Sequence, residues 1–245
     1  MDETLRMYWE LFNESCSNEL MIHKSHNPLR NFEEEFIEGP ILELGCGQSS
    51  FLVEYSKTGK EIFAIDNEDF QLSLLKKRIE SYAGKQAGKL HLLNITIPKK
   101  EIPKEVFSLV IMSDFLHFFS IEDCGKIINQ IASRTQKGSL IYIKAHSISH
   151  SYFKSTEPGL HQYYKHFFSE TDLPKLFDKK YFERIMFSDT VQSVRSKFSR
   201  EMQIKWHERV LDKYEVFDPE DREEELKSTK EESIVGYLEC VYRRK

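Results

Sequence analysis

The chain has 245 residues, a formal net charge of −5, 40% hydrophobic residues and 31% charged residues. These values describe a globular protein with a full core. A nucleic-acid partner is disfavoured because no lysine and arginine tract is interleaved with aromatic residues. No stretch is long enough to cross a bilayer, and the four scattered cysteines lack metal-site spacing. We therefore expect a cytoplasmic protein with reduced thiols and no membrane partner.

Residues 1–38 are predicted to form an N-terminal helical cap segment. Apolar residues at steps of three and four indicate a helix over residues 2–17. This apolar face consists of Leu5, Tyr8, Trp9, Phe12 and Cys16. A polar loop over 17–31 and a short second helix follow, and Gly39-Pro40 ends that helix. The periodicity favours packing as the role of Tyr8 and Trp9.

From Ile41 onwards, strand patterns alternate with helix patterns. Strands are predicted at 41–44, 61–65, 90–93, 106–112 and 140–143, and helices include 49–57 and 122–136. Gly138 is expected to end the second of these helices. Such alternation predicts an α/β protein with a doubly wound parallel sheet.

After the fifth strand the alternation stops. Residues 146–168 form a long segment rich in histidine and aromatic residues, which is typical of a lid or binding loop. A helix is expected at 173–177, with Ser169 and Asp172 at its start. Strands are predicted at 181–187 and 234–242, with an insertion over 190–233 that carries a solvated acidic run.

The stretch Ile41–Ser50 combines a strand, a tight turn and a helix start. Gly45 and Gly47 permit a sharp turn and let a ligand approach the backbone. The following helix offers unpaired N–H groups. A dinucleotide-binding turn requires a third glycine where this chain has Ser50. An NAD(P)-linked oxidoreductase is therefore disfavoured but stays an alternative.

With Glu43 two residues before Gly45 and the small residue Ser49 behind it, this Gly-Cys-Gly turn resembles the first motif of class I S-adenosylmethionine (SAM) methyltransferases. The resemblance covers 41–145 and, in outline, the last two strands. It implies a Rossmann-like seven-stranded sheet, mostly parallel with an antiparallel terminal strand and with helices on both faces. The 39–245 region would be the SAM-methyltransferase domain, and SAM the cofactor. Segments before the first glycine motif often fold over the cofactor in that superfamily.

The resemblance also implies a set of cofactor-binding positions at the strand ends. They are Glu43, Gly45, Cys46, Gly47, Asp66, Asn67, Asn94, Ile95 and Ser113. Asp66 follows the second strand, where a carboxylate can accept both ribose hydroxyl protons; a helix cap is the alternative. Asn94 stands where the superfamily usually has an aspartate that contacts adenine, and a turn asparagine is equally consistent.

Asp114, His117 and His146 are the candidate catalytic residues. Asp114 and His117 follow the fourth strand and resemble the superfamily stretch under the transferred methyl group. A histidine there can act as acid, base or hydrogen-bond donor, or be purely structural. His146, His150, His161 and His166 could hold a metal, but histidine spacing alone is poor evidence and a metal site is disfavoured.

The predicted function is methyl transfer from SAM to an N, O or S atom of a small-molecule acceptor. Within the superfamily, the chain looks most like the tellurite-resistance and thiopurine methyltransferases. A non-catalytic SAM-fold binding or scaffold protein is the second alternative. The sequence does not predict the oligomeric state.

Overall fold

The computed structural model describes residues 3–155, 163–192, 197–230 and 234–245. Its centre is one seven-stranded sheet in the order β3-β2-β1-β4-β5-β7-β6. The strands are β1 Ile41–Leu44, β2 Ile62–Asp66, β3 Leu90–Asn94, β4 Phe107–Ser113, β5 Thr135–His146, β6 Phe182–Gln192 and β7 Val235–Arg244. Strands β1 to β5 pair in parallel, and β7 runs antiparallel to β5 and β6. The predicted fold class is confirmed.

Helices cover both faces of the sheet. They are α1 Glu3–Ser15, α2 Asn18–Lys24, α3 Ser50–Tyr55, α4 Asp69–Ala83, α5 Ile121–Ser133, α6 Asp172–Leu176, α7 Lys197–Lys213 and α8 Pro219–Lys230. Alternate residues of a strand point to opposite faces. Leu42 and Leu44 therefore pack with α5, whereas Ile41 packs with α3 and α4. None of the helices in these ranges is long and apolar enough to cross a membrane.

Two elements differ from the sequence prediction. Residues 18–24 form α2, because the hydroxyl of Ser17 accepts the N–H of Leu20 and caps a helix where a loop was expected. Helix α5 ends at Ser133 and β5 begins at Thr135, five residues earlier than predicted. Gly138, expected to end the helix, instead lies within β5 with φ +89°, beside an irregular part of the β4–β5 ladder.

The strand before the predicted insertion is longer than expected. Strand β6 continues to Gln192, because its second half pairs with β7 from Val235 onwards. Beyond it, α7 packs along the N-terminal helix α1. The indole N–H of Trp206 donates to the carbonyl of Thr4 at 2.6 Å, and the Trp206 ring meets Tyr8 edge to face. Helix α7 thus supports the N-terminal segment, while the insertion over 190–233 and the domain boundary after residue 38 stay predictions.

Candidate functional site

A cavity of about 840 Å³ opens at the carboxyl ends of β1, β2 and β4. In an open parallel sheet, this is where the strand order reverses and where ligands bind. The first half of its lining is Leu5, Trp9, Glu43, Gly45, Cys46, Gly47, Gln48, Ser49, Ser50, Phe51, Ile65 and Asp66. The second half is Asn67, Glu68, Gln71, Ile95, Thr96, Ile97, Ser113, Asp114, Phe115, Phe118, Phe119 and Tyr163.

The glycine turn is held against the end of β2 by two hydrogen bonds. The N–H of Cys46 donates to the carbonyl of Ile65 at 3.0 Å, and that of Gly47 donates to Asp66 Oδ2 at 2.9 Å. Both glycines have positive φ, +65° at Gly45 and +43° at Gly47. A Cβ on Gly45 would collide with the Phe115 ring, whereas a Cβ on Gly47 would meet nothing within 4 Å. The backbone at Gly47 is therefore open to a ligand.

Glu43 lies buried beneath this turn and accepts a hydrogen bond from the Ser49 hydroxyl. Burial raises the pKa of the Glu43 carboxyl to about 8, and the nearby charges of Asp114 and Asp66 act in the same direction. The Ser49 oxygen also accepts the N–H of Leu52 at 3.0 Å, so it caps α3. Glu43 thus connects the cavity floor to the helix start.

Asp66 ends β2 and is not the cap of α4, whose N-cap residue is Glu68, so its role towards a ribose stays a prediction. Its Oδ1 accepts the N–H of Glu68 at 3.0 Å, which shapes the entry into α4, while its Oδ2 holds Gly47. Burial raises the pKa of the Asp66 carboxyl, and the backbone donors oppose that shift. Asp66 and Asn67 both line the cavity, where a ligand hydroxyl could reach the carboxylate.

A buried polar chain ties the glycine turn to the N-terminal segment. The Gln48 amide donates to Gln71 Oε1 at 2.8 Å, and Gln48 Oε1 accepts from Arg78 Nε at 3.2 Å. Arg78 Nη1 also donates to the carbonyl of Cys16 and to Asn18 Oδ1, each at 3.0 Å. The end of α1 is therefore fixed relative to the turn, which puts Leu5 and Trp9 at the cavity.

At the end of β3, Asn94 pairs in register with Asp66. The side chain of Asn94 is exposed and, among the described residues, is not part of the lining. The next residues, Ile95 to Ile97, line the cavity instead. A planar ring lying there would meet mainly apolar side chains.

Asp114 has an unusual backbone at the end of β4. Its φ is +53°, a conformation that costs energy for any residue other than glycine and is enriched at functional sites. Lys144 on β5 holds it there: the Asp114 N–H donates to the Lys144 carbonyl at 2.9 Å, and Lys144 Nζ lies 3.1 Å from Asp114 Oδ2. Ser113 and Asp114 thus face the cavity on a rigid strand end.

His117 and His146 are not among the described residues that line the cavity. They stack behind it, with ring centroids 3.8 Å apart and planes 11° from parallel. The backbone N–H of His146 donates to the ring nitrogen Nδ1 of His117 at 3.3 Å. Burial lowers the pKa of His117 to about 3 and that of His146 to about 2. Both imidazoles are therefore neutral near pH 7.

The two described ends of the 146–168 segment are hydrogen-bonded to each other and to the turn that follows β4. The Ile148 N–H donates to the carbonyl of Phe168, and the Lys165 N–H donates to that of His117. Tyr163 reaches the cavity, while Tyr164 packs on His146 with ring centroids 5.1 Å apart. Residues 156–162, including His161 of the predicted lid, lie outside the described residues. In the described ranges, no group of three metal-ligating side chains could hold an ion.

Several lining residues were not among the predicted site residues. The rings of Phe115, Phe118 and Phe119 follow Asp114 directly, so their position after β4 was a usable signal. Gln71 and Glu68 lie at the start of α4, where the sequence carries no distinctive pattern. Trp9 was interpreted as a packing residue; it packs on Phe12 and also lines the cavity.

Comparison with solved structures shows the same fold in proteins of very low sequence identity. TehB from Haemophilus influenzae is 15% identical with a TM-score of 0.62, and the alignment covers 90% of this chain and 63% of TehB. Magnesium protoporphyrin IX methyltransferase (ChlM) from Synechocystis PCC 6803 is 11% identical with a TM-score of 0.55, covering 98% of this chain and 87% of ChlM. Phosphoethanolamine N-methyltransferase 2 from Haemonchus contortus is 14% identical with a TM-score of 0.60, covering 98% of this chain and 56% of that protein.

The fold is that of the class I SAM-dependent methyltransferase superfamily. Residues 41–138, less than half of the chain, match the family model of a methyltransferase domain. The chain therefore shares its fold with methyltransferases, and its residues 41–138 are similar to a methyltransferase domain. No curated protein matches the chain in sequence. The open backbone at Gly47 and the carboxylate of Asp66 fit a ribose-bearing ligand such as SAM.

Proposed function

We propose that this protein transfers the methyl group of SAM to an N, O or S atom of a small-molecule acceptor. The observation that carries the proposal is the continuity of the cavity: the same space touches Gly47 and Asp66 at one end and Asp114 and Phe118 at the other. A volume of about 840 Å³ lies within the range of small-ligand sites. Donor and acceptor can therefore be held side by side.

In this proposal the β1–β2 end holds the donor. The backbone of the turn at Gly47 lies against the donor, and the Asp66 carboxylate accepts hydrogen bonds from the ribose hydroxyls. Ile95 and its neighbours cover the adenine. Asn94 stays a predicted adenine contact, and because its side chain is exposed we expect it to contribute little.

The end of the cavity beside Asp114, after β4, would receive the acceptor. Methyl transfer from a sulfonium requires the attacking atom in line behind the methyl group and little covalent help, so orientation dominates the rate. Asp114 lines this end, and His117 and His146 support it as neutral rings. With pKa values of about 3 and 2, neither imidazole is suited to hold a proton near pH 7.

The alternatives from other classes have less support. Dinucleotide-binding folds commonly have the strand order 3-2-1-4-5-6, whereas β7 stands between β5 and β6 in this sheet. Ser50, at the position of the third glycine, is the first residue of α3. A non-catalytic SAM-fold scaffold would keep the donor site, so only turnover separates it from an enzyme.

The test has two stages. Calorimetry should detect binding of SAM and S-adenosylhomocysteine (SAH) but not of NAD(P)H. A screen of small N, O and S acceptors that follows SAH release should then identify turnover. Binding of SAM without turnover of any acceptor class would favour the scaffold alternative, and binding of NAD(P)H alone would favour the oxidoreductase.

We also propose the cytoplasm as the compartment and small molecules as the partners. All four cysteines are buried free thiols, which suits a reducing environment. Fractionation of the source cells with an antibody to the protein would test this assignment.

A further inference from the structure

The acceptor end of the cavity has an unusual chemical balance. Four aromatic side chains stand around its rim, namely Phe115, Phe118, Phe119 and Tyr163. Their rings also contact one another: the ring centroids of Phe115 and Phe119 lie 4.7 Å apart, and those of Phe118 and Tyr163 lie 5.0 Å apart. Aromatic faces attract cations as well as apolar groups.

The lining side chains that are charged near pH 7 are acidic. Asp66, Glu68 and Asp114 contribute carboxylates, the buried Glu43 contributes a neutral carboxyl group, and no lysine, arginine or histidine is found among the described lining residues. Glu43 and Asp66 lie at the glycine turn, where the donor is proposed to bind. Asp114 is the carboxylate beside the four rings. The cation beside this end is Lys144, which is not a lining residue and whose Nζ already pairs with Asp114 Oδ2.

The carboxylate of Asp114 is positioned but only partly used. Its Oδ2 accepts from Lys144 Nζ at 3.1 Å and from the Ser113 hydroxyl at 3.3 Å. Among the described residues, Oδ1 has no hydrogen-bond donor, and a carboxylate can accept on both oxygens. The left-handed backbone at Asp114, secured by Lys144, keeps this residue in the cavity lining.

From this arrangement we infer that the acceptor is an amine attached to an apolar or aromatic group. The inference rests on the proposed function and names its acceptor class. The ammonium form binds between Asp114 Oδ1 and the ring faces. After one proton passes to water, the nitrogen lone pair forms the N–CH₃ bond. The methyl group's bond to sulfur breaks with its electron pair staying on sulfur, and the product is a methylated ammonium ion and SAH.

Three isosteric probes test the inference: 2-phenylethylamine, 2-phenylethanol and 2-phenylethanethiol. Their binding to the SAH-saturated protein is measured by calorimetry. We expect the amine to bind at least about tenfold more tightly than the alcohol or the thiol, as one charge-assisted hydrogen bond implies. In Asp114→Asn, which keeps the side-chain shape and tolerates the left-handed backbone, this preference should fall below about threefold.

The matched control is Glu122→Gln, which removes one carboxylate from a position 80% exposed on α5. It should retain the amine preference. SAH should still bind to the wild type and to both variants, which shows that all are folded.

Absent amine binding, equal binding of amine and alcohol, or a preference that survives in Asp114→Asn would each overturn the inference. These outcomes leave the proposed function intact, because SAH still binds. Failure of the wild type to bind SAH would overturn the proposed function itself.

Discussion

Glu43 and His117 are both buried titratable side chains at the carboxyl end of the sheet, yet burial moves their pKa values in opposite directions. At the glycine turn, burial raises the pKa of Glu43 to about 8. Behind β4, burial lowers the pKa of His117 to about 3. In each case the charged form is the one that burial disfavours. Both ends of the site therefore hold neutral titratable groups near pH 7.

The two ends differ in how they are built. The proposed donor end consists of backbone N–H groups and carboxyl groups fixed within a few residues of the β1 and β2 ends. The proposed acceptor end consists of Asp114 and the rings that follow β4, which meet Tyr163, with His117 and His146 stacked behind them. Local backbone geometry determines the first, and long-range packing determines the second.

The largest effect is expected at the donor end. In Gly47→Val, the new side chain would enter the open space at the turn and would require a left-handed backbone, so SAM binding should be lost. Gly125→Ala is the control, because that glycine lies in α5 with nothing within 4 Å of a new Cβ. Calorimetry with SAM measures both. Wild-type affinity in a folded Gly47→Val protein would remove the turn from the donor site.

Asp66→Ala should weaken SAM binding by about 1.5–3 kcal/mol, the loss expected for a charged hydrogen-bond acceptor. Part of this loss would come through the turn, because Asp66 also holds the Gly47 N–H. Asp66→Asn, which keeps one acceptor oxygen, should lose less. Identical SAM affinities for the wild type and both variants, again by calorimetry, would exclude Asp66 from the site.

Glu43→Gln tests the raised pKa at this end. The unfolded chain releases the Glu43 proton above about pH 4.5, whereas the native state keeps it until about pH 8, so wild-type stability should fall as pH rises through this window. The pH dependence that arises from all other titratable groups is common to both proteins. Urea unfolding of the ligand-free proteins should therefore show the wild type losing about 1–3 kcal/mol relative to the variant between pH 5 and 7.5. A constant difference across that range would contradict the raised pKa.

His117→Asn tests the lowered pKa of the buried imidazole. Asn can replace the Nδ1 acceptor that receives the His146 N–H, but it does not titrate. Because the native ring stays neutral down to about pH 3, the unfolded chain gains a proton below pH 6.5 and wild-type stability should fall with acidification. Between pH 7.5 and 5 this contribution is at most about 2 kcal/mol. If urea unfolding showed that the stability of both proteins falls equally with acidification, the lowered pKa of His117 would be disproved.

The smallest effect is expected for the ring stack. His146→Ala should lower methyl transfer about tenfold while SAM affinity stays nearly unchanged, because His146 supports the acceptor end and lies away from Gly47. Kinetics with a working acceptor measure the first effect and calorimetry the second. Parallel losses in kcat and SAM affinity would mean that the two ends are not separate.

The contrast between the ends also explains what could be predicted from the sequence. The seven-stranded sheet followed from the resemblance and from apolar runs such as 106–112. The predicted donor residues rest on the spacing of Gly45, Gly47 and Asp66. These features depend on residues that are close in the chain. The predicted start of β5 was wrong because Gly138 adopts a positive φ within the strand, and the periodicity of the sequence does not reveal this conformation.

The acceptor end was less predictable. The stacking of His117 on His146 and the contribution of Trp9 depend on contacts between distant segments. A sequence-based role for His117 as a base assumed an ordinary pKa, and only burial shows that this pKa is low. The proposed donor contact of Asn94 came from a position at the end of β3, while its side chain is exposed.

The central claim is that one cavity holds the donor at the glycine turn and directs its methyl group towards Asp114. A crystal structure of the SAH complex tests this most directly. We predict the ribose hydroxyls on Asp66, the adenine beside Ile95 and the sulfur facing the Ser113–Asp114 strand end. SAH bound away from Gly45 and Gly47, or bound there with its sulfur facing away from Asp114, would contradict the account.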